Sequence, residues 1–320
     1  MKRAWSILLI GCLAAVLLAG CSRTKSPSAN GGQSRSGKLS VYASFYPMYD
    51  FAKKIGGDKV DVVNMVPAGT EPHDWEPTAS DVAGLEKADV FVYNGAGMEH
   101  WAKDVLESLG NKELIAVEAA KGVSLREGHH EHEDEHEAER EDEHDSEAYD
   151  PHVWLSPLNA KVQLENIKEA FVQADPDNKD YYQANYAKYA ARLDALDKEF
   201  KDAISALPKN EIVVSHEAFG YLCAAYGLEQ IGIEGLAPDS EPDPARMTQI
   251  IEFAKAHDVK VIFFEELVNP KVAETIAKAT GAETDVLNPL EGLTDKQLAA
   301  GDDYFSVMRH NLEALKKALQ

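Results

Sequence analysis

The sequence predicts an α/β protein of two lobes, each a four-stranded, mainly parallel sheet with flanking helices, joined by one long rigid helix. Two observations predict this fold. Short β-branched runs alternate with longer helical segments from residue 39 onward, which is the pattern of parallel sheets covered on both faces. A single unusually long helical segment at the midpoint separates two sets of strand-like runs.

The first lobe is assigned to residues 39–175. Its strand-like runs are rich in valine and isoleucine, and each is followed by a helical pattern. The strand-like runs are 39–44, 60–66, 89–94 and 113–118, and the helical segments are 46–56, 78–88, 98–109 and 157–174. An acidic tract interrupts the connection between the last strand and the last helix of this lobe.

Residues 176–207, between Pro176 and Pro208, carry the clearest helical pattern, with Asp175 as a candidate N-cap. Apolar residues recur there at spacings of three and four. At 1.5 Å per residue this segment is about 48 Å long, which is more than one lobe needs. We therefore predict that it bridges both lobes; the alternative is an interior helix of a single domain.

The second lobe, residues 208–320, repeats the plan of the first. Its strand-like runs are 211–215, 229–234, 259–265 and 283–288, each followed by a helical or cap-rich segment. The two halves show no similarity at the level of residues, so the repeat is predicted to be one of topology.

Residues 1–20 have the build of an export signal, with Lys2 and Arg3 before an apolar run that is too short to span a bilayer comfortably. The run ends in Leu-Ala-Gly-Cys, which resembles the bacterial lipobox and implies lipidation of Cys21. An ordinary secretory signal cleaved elsewhere is the alternative. Residues 21–38 are polar and predict a flexible tether.

The composition excludes one class of partner. A net charge of −23 argues against nucleic acid. After the signal is removed and Cys21 is lipidated, Cys223 is the only free thiol, so no intrachain disulfide is available. We expect a monomer.

Much of the charge lies in a histidine-rich acidic loop, residues 128–149. From Glu131 to Glu147 there are eleven carboxylates and one opposing residue, Arg140. Such a composition cannot form a core, so a mobile loop is predicted. Its histidines can bind zinc weakly and raise the local metal concentration, or the loop is passive; they are His129, His130, His132, His136 and His144.

Four other side chains follow predicted strand ends, where ligands bind in open parallel sheets. They are His73, His152, His216 and Glu291. Imidazole and carboxylate ligands suit a tetrahedral Zn²⁺ ion, so we predict a metal site shared by both lobes. Asp285, Asn288 and water remain alternatives to Glu291.

Three carboxylates are candidates for orienting the histidine ligands, because metal-bound histidine commonly donates its other ring N–H to a carboxylate. They are Asp74, Asp150 and Glu265, each close in sequence to a proposed ligand or to the rim of the cleft. The alternative for each is a solvated charge.

Seven stretches carry a resemblance to a known family. They are FYPMYDFAKKIGG (45–57), VPAGTEPHDWEPT (66–78), DPHVWLSP (150–157), VVSHEAFGYL (213–222), FFEE (263–266), LNPLEGL (287–293) and DDYFSVMRHNLEAL (302–315). In this order and spacing the chain resembles, over essentially all its length, the zinc-uptake branch of the metal-ion ABC transporter solute-binding lipoproteins.

The resemblance implies a metal held between two lobes, with His73 and His152 as the first-lobe ligands. His216 matches the second-lobe position that is histidine in zinc binders and often glutamate in manganese binders, and Glu291 matches the carboxylate position. It also implies that the captured Zn²⁺ passes to an ABC permease powered by an ATPase. The protein would be extracytoplasmic, anchored by lipid to the outer face of the bacterial cytoplasmic membrane.

Three other functions compete with zinc uptake: manganese binding, a surface adhesin, and a zinc hydrolase with Glu217 as its base. The hydrolase motif H-E-x-x-H would need histidine at position 220, which is Gly220. Three imidazoles and a carboxylate also fill a tetrahedral shell, whereas catalytic zinc keeps an open position. We therefore do not expect an enzyme.

Overall fold

Two four-stranded sheets, both entirely parallel, form the framework of the chain. The structure is a computed structural model that describes residues 37–128, 149–238 and 242–320. The strands are β1 (Leu39–Ala43), β2 (Val60–Asn64), β3 (Val90–Tyr93), β4 (Ile115–Glu118), β5 (Glu211–Val214), β6 (Glu229–Gly232), β7 (Val261–Phe264) and β8 (Glu283–Val286). The spatial orders, β2-β1-β3-β4 and β6-β5-β7-β8, are the same in both sheets. The predicted fold class is confirmed.

Helices precede, connect and follow the strands of the two sheets in the described parts of the chain. They are α1 (Tyr46–Gly56), α2 (Ala79–Leu85), α3 (Ala102–Ser108), α4 (Pro157–Ala174), α5 (Lys179–Ile204), α6 (Gly220–Tyr226), α7 (Pro244–Ala256), α8 (Lys271–Thr280), α9 (Asp295–Ala300) and α10 (Tyr304–Ala318). The bounds of α1 and α4 are those predicted, while α2 and α3 are shorter. In the three described ranges, no helix combines the length and the apolar character that a membrane span needs.

The long helix α5 packs against α1 and α4 of the first sheet and against α6 and α10 of the second. It begins later than the sequence suggested, because Pro176–Asn178 form a separate 3-10 turn. Asp175 is not the N-cap of α5; its carboxylate accepts hydrogen bonds from Tyr182 Oη (2.8 Å) and Asn178 Nδ2 (2.7 Å). Its apolar face is buried from Tyr182 to Ile204, so α5 joins the two sheets through packing along its length.

One hydrophobic core continues from the first sheet to the second. It includes Val41 of β1, Leu196 and Phe200 of α5, and Tyr304 of α10, each with at most 1% of its surface exposed. Burial of apolar surface is the main stabilising contribution to a fold. The two lobes are therefore held together by a shared core as well as by the chain between them.

A buried lysine adds an ionic link between the lobes. Lys54 on α1 lies 2.6 Å from Asp50 on the same helix and 3.0 Å from Asp303, which caps α10. The Lys54 and Asp50 side chains are only 8% and 11% exposed. Burial raises the pKa of Asp50, and the positive charge of Lys54 partly offsets that rise. Removing Lys54 would leave a buried carboxylate without its cation.

We expect Lys54→Met to lower the free energy of unfolding by about 3 kcal/mol or more, because breaking a buried ion pair leaves an uncompensated charge. Lys161→Met is the matched control. Lys161 pairs with Asp194 at 2.7 Å, but their side chains are 34% and 53% exposed, so its loss should cost less than about 1 kcal/mol. Urea unfolding of the metal-free variants measures both. Equal losses would contradict a structural role for Lys54.

Candidate metal centre

The four side chains predicted to bind metal lie together between the two sheets. His73 lies in the loop after β2, His216 follows β5 and Glu291 follows β8, so these three lie beyond the carboxyl ends of parallel strands. His152 immediately precedes a 3-10 turn, Val153–Leu155, that leads into α4. One ligand atom from each of the four lies within 4.8 Å of the others. His73 and His152 precede α5 in the chain, and His216 and Glu291 follow it.

Five of the six distances among the four donor atoms are close to the edge length of a zinc tetrahedron, and all four atoms lie within 4.8 Å of one another. His152 Nε2 lies 3.3 Å from the Nε2 atoms of both His73 and His216. Glu291 Oε1 lies 2.9 Å from His152, 3.2 Å from His216 and 3.3 Å from His73, measured to Nε2. Zinc–nitrogen bonds of about 2.0 to 2.1 Å correspond to tetrahedral edges of about 3.3 to 3.4 Å. The donor set therefore fits a four-coordinate zinc ion.

Two of the predicted orienting carboxylates contact the histidine rings. Asp150 Oδ1 lies 2.8 Å from His152 Nδ1, and Glu265 Oε1 lies 2.7 Å from His216 Nδ1. A ring N–H donated at Nδ1 leaves the Nε2 lone pair free for a metal. Asp74, the third candidate, is exposed and is not brought to the cluster.

The alternative fourth ligands are engaged elsewhere. Asp285 accepts a hydrogen bond from Lys317 at 3.2 Å. The side-chain Oδ1 of Asn288 accepts the backbone N–H of Leu290 at 2.7 Å, and its side-chain Nδ2 donates to Glu266. Asp285 does not belong to the cluster of four.

Burial and mutual contact shift the pKa values of the cluster. Burial lowers the pKa of His73. For His216, burial acts in the same direction, but Glu265 and Glu291 outweigh it and hold the pKa well above its usual value. The pKa of His152 is also raised overall, against the effect of burial, by its hydrogen bonds to Asp150 and Glu291. Protons therefore compete with a metal for these ring nitrogens.

Glu291 remains ionised. Burial raises its pKa, but His216 and His73 reverse this and bring the pKa well below the usual value for a glutamate. In the metal-free cluster, the Glu291 carboxylate therefore lies beside imidazoles whose raised pKa values favour the protonated form. A divalent cation would replace those protons and keep the carboxylate paired.

Glu71 is a feature of the site that the sequence analysis missed. Its Oε1 atom accepts the backbone N–H of His73 at 3.0 Å, and its other oxygen is buried with no hydrogen-bond partner in the described part of the chain. Burial, followed by repulsion from Glu291, raises its pKa to about 8. Burial beside Glu291 therefore favours the neutral form of Glu71 in the metal-free chain.

A short motif that occurs twice in the sequence points to Glu71 as a residue that contacts His73. Residues 71–75 read EPHDW and residues 150–154 read DPHVW, so each has an acid, proline, histidine and, two residues later, tryptophan. In both, the carboxylate accepts the backbone N–H of the histidine two residues later, at 3.0 Å for Glu71 and 2.9 Å for Asp150. This local turn fixes the backbone that carries each histidine.

The five histidines of the acidic loop, His129, His130, His132, His136 and His144, lie outside the described residues, as do Cys21 and residues 1–20. The described ends of the loop meet close to the metal cluster. Glu127 pairs with Tyr149 across an isolated bridge, and Asp150 donates its backbone N–H to Arg126 at 2.9 Å. The loop therefore starts and ends beside Asp150, two residues from His152.

The hydrolase alternative finds no support in the geometry. Glu217 lies in the turn before α6, which begins at Gly220, and its carboxylate is 4.0 Å from the Arg246 guanidinium. It is not among the four residues that can share a metal. The tetrahedral cluster also leaves no ligand position for a catalytic water.

Comparisons with known proteins identify a family for the chain. A family model described as "ZnuA: Zinc-uptake complex component A periplasmic" matches residues 41–318. A Bacillus subtilis (strain 168) relative named "High-affinity zinc uptake system protein ZnuA" is 45% identical over 320 residues, which cover 100% of this chain and 99% of that protein. The chain is also 40% identical to the "Zinc-binding lipoprotein AdcA" of Streptococcus pneumoniae serotype 4, covering 97% of this chain but 60% of that protein.

Two solved structures resemble the chain closely. The Zn(II)-bound ZnuA-like domain of Streptococcus pneumoniae AdcA is 38% identical with a TM-score of 0.76, over 88% of this chain and 99% of that domain. The laminin binding protein (Lmb) of Streptococcus agalactiae, described as bifunctional with adhesin and metal transporting activity, is 34% identical with a TM-score of 0.77, over 88% of this chain and 100% of that one.

Proposed function

The chain belongs to the zinc-uptake complex component A family, and from this premise we propose that His73, His152, His216 and Glu291 are the ligands of the zinc ion that it captures. The family is a solute-binding component of zinc uptake and not an enzyme. The protein accordingly binds zinc outside the cytoplasm as one part of an uptake system.

The observation that carries this ligand assignment is the close grouping of three Nε2 atoms and one carboxylate oxygen, in which the carboxylate oxygen and the His152 Nε2 atom each lie 2.9 to 3.3 Å from the other three donor atoms. A closed shell of this kind stores an ion and leaves no site for substrate. Three nitrogen ligands and a single carboxylate favour zinc over manganese, which prefers oxygen-rich sites. Because ligands come from both lobes, the ion is held at their junction.

The rest of the uptake pathway follows from the family. The captured zinc passes to an ABC permease driven by an ATPase. Cys21 carries the lipid that anchors the chain to the outer face of the cytoplasmic membrane, which its Leu-Ala-Gly-Cys motif supports. Two or more acyl chains hold a protein stably at a membrane. The chain acts as a monomer, tethered by residues 21–38.

The histidine-rich loop raises the local zinc concentration beside the site. Its ends meet at Glu127 and Tyr149, next to Asp150, so ions bound to it would be released close to His152. Its sites would be weaker than the preformed cluster, because a loop without a core loses conformational entropy when it orders around an ion.

Adhesion is a second candidate function, supported by the similarity to the bifunctional laminin binding protein Lmb. It does not conflict with metal capture, since that relative is described as having both activities. Immobilised laminin is the probe that tests it.

The zinc proposal is tested by titration of the purified chain against a competing chelator at pH 7.5 and pH 6.0. We expect one tight zinc per chain at pH 7.5. Affinity should fall by at least about 30-fold at pH 6.0, because each displaced proton changes it by about tenfold per pH unit.

The direction of this pH effect follows from the raised pKa of His216 and His152. A raised pKa means that the metal-free rings stay protonated to higher pH, so zinc loses affinity as the pH falls, beginning above the usual titration range of histidine. An affinity that does not change between the two pH values would refute a histidine-based site. No tight zinc at pH 7.5 would refute the proposed function itself.

A further inference from the structure

Trp154 makes two hydrogen bonds that cross between the lobes. Its indole Nε1 donates to the Pro289 carbonyl at 2.7 Å, and its own carbonyl accepts from Tyr304 Oη at 2.7 Å. The side chain is fully buried. Its ring packs edge-on against Phe45, at 5.0 Å between centroids, and lies 5.4 Å from the ring of His152. Trp154 is thus fixed by the first lobe while it holds a loop of the second.

That loop, residues 287–293, carries Glu291 in a constrained backbone. Leu290 is fully buried and has a φ of 63°, a left-handed conformation that residues other than glycine rarely adopt. Such a conformation persists only where the surroundings fix it. On the second-lobe side, Asn311 Oδ1 accepts the backbone N–H of Asn288 at 2.9 Å, and Asn311 Nδ2 donates to the Asn288 backbone carbonyl at 2.7 Å.

On the first-lobe side, the indole of Trp154 fixes the same loop at Pro289. Trp154 is two residues after His152, and Pro289 is two residues before Glu291. The His152 ring and the Glu291 carboxylate meet again at 2.9 Å. The chain therefore forms a closed ring in which the hydrogen bond from Trp154 to Pro289 lies two residues away from the contact between the His152 and Glu291 donor atoms.

We propose that Trp154 is a positioning residue of the zinc site, whose indole N–H holds the loop of Glu291 so that its carboxylate completes the shell begun by His152. The inference rests on the proposed function, because it assigns to Trp154 the geometry of that same site. Its effect on zinc is exerted through Glu291, while Trp154 itself touches no ion.

This role differs from interface packing in a measurable way. Tyr304 also donates one buried hydrogen bond across the lobes, but to the Trp154 carbonyl and not to the loop of Glu291. Tyr304→Phe is therefore a matched control for Trp154→Phe, since each removes one buried donor and keeps an aromatic ring. Loss of one interlobe hydrogen bond by itself would affect both variants alike, and 3-benzothienylalanine at position 154, which keeps the shape of the indole, separates that loss from the smaller volume of phenylalanine.

The test is a double-mutant cycle on zinc affinity, with Trp154→Phe and Glu291→Ala alone and together. Loss of a group that orients a ligand typically weakens metal binding by about 10- to 100-fold, and we expect that loss for Trp154→Phe with Glu291 present. With alanine at position 291 the same substitution should change affinity by less than about threefold. Tyr304→Phe should change it by less than about threefold in both backgrounds.

Equal losses from Trp154→Phe in both backgrounds would overturn the inference, because the tryptophan would then act independently of Glu291. Should Trp154→Phe fail to fold, 3-benzothienylalanine at position 154 replaces the N–H by sulfur and preserves the ring shape, and the same cycle applies. If the unsubstituted chain binds no tight zinc, the proposed function fails; if it binds zinc and the cycle is additive, only the positioning role fails.

Discussion

Replacing His216 by alanine is expected to weaken zinc binding by roughly 100- to 1,000-fold. Structural tetrahedral zinc sites bind with about 10 to 16 kcal/mol, so one of four ligands accounts for about 2.5 to 4 kcal/mol. His216 is fully buried, its Nε2 lies 3.3 Å from that of His152, and Glu265 fixes its ring. Removing it leaves both a missing ligand and a Glu265 carboxylate without its histidine. Competition with a chelator of known affinity measures the loss.

Two further variants show whether the loss is specific. His257→Ala removes a histidine that lies outside the cluster and contacts Glu211 at 2.7 Å, so it should leave zinc affinity unchanged. Deleting residues 129–147 removes all five loop histidines and should leave one tight zinc per chain. If this deletion alone abolished tight binding, the site would lie in the loop and not between the lobes.

The sequence predicted the parts of this site that depend on chain order. Strands that alternate with helices must lie parallel, and parallel strands bring their carboxyl ends to one edge. The positions of His216 directly after "EIVVS" and of Glu291 after the last strand therefore predict that the two side chains lie near each other. The bounds of α1 and α4 were predictable for a similar reason, since each begins with proline within its first two residues and has a clear apolar pattern.

Other features depend on contacts between distant residues and leave no local pattern. The bonds from Trp154 to Pro289 and from Tyr304 to Trp154 join residues separated by 135 and 150 positions. Asp74 was a plausible orienting carboxylate by its position, yet it is exposed, and Glu71 on the other side of His73 instead accepts the backbone N–H of that histidine. Adjacency in sequence does not determine which neighbour is buried, although the repeated acid-Pro-His pattern would have favoured Glu71.

Removal of zinc is expected to lower the melting temperature by roughly 10 °C. Free zinc at about 1,000 times its dissociation constant stabilises the folded chain by about 4 kcal/mol. In chains of roughly this size each kcal/mol corresponds to about 2 to 4 °C. Calorimetry of the protein stripped with EDTA, and then supplied with zinc buffered at that excess, measures the shift.

The whole unfolding transition is expected to shift because the proposed zinc ligands come from both lobes, which share one continuous core. His73 and His152 belong to the side of the first sheet, and His216 and Glu291 to that of the second, while α5 and Tyr304 pack in the core that both share. Zinc therefore binds only when both halves are folded, and its binding energy stabilises them together. The chain carrying His216→Ala should show little or no rise at the same zinc concentration. Two separate transitions, with only one of them moved by zinc, would show instead that a single lobe holds the ion.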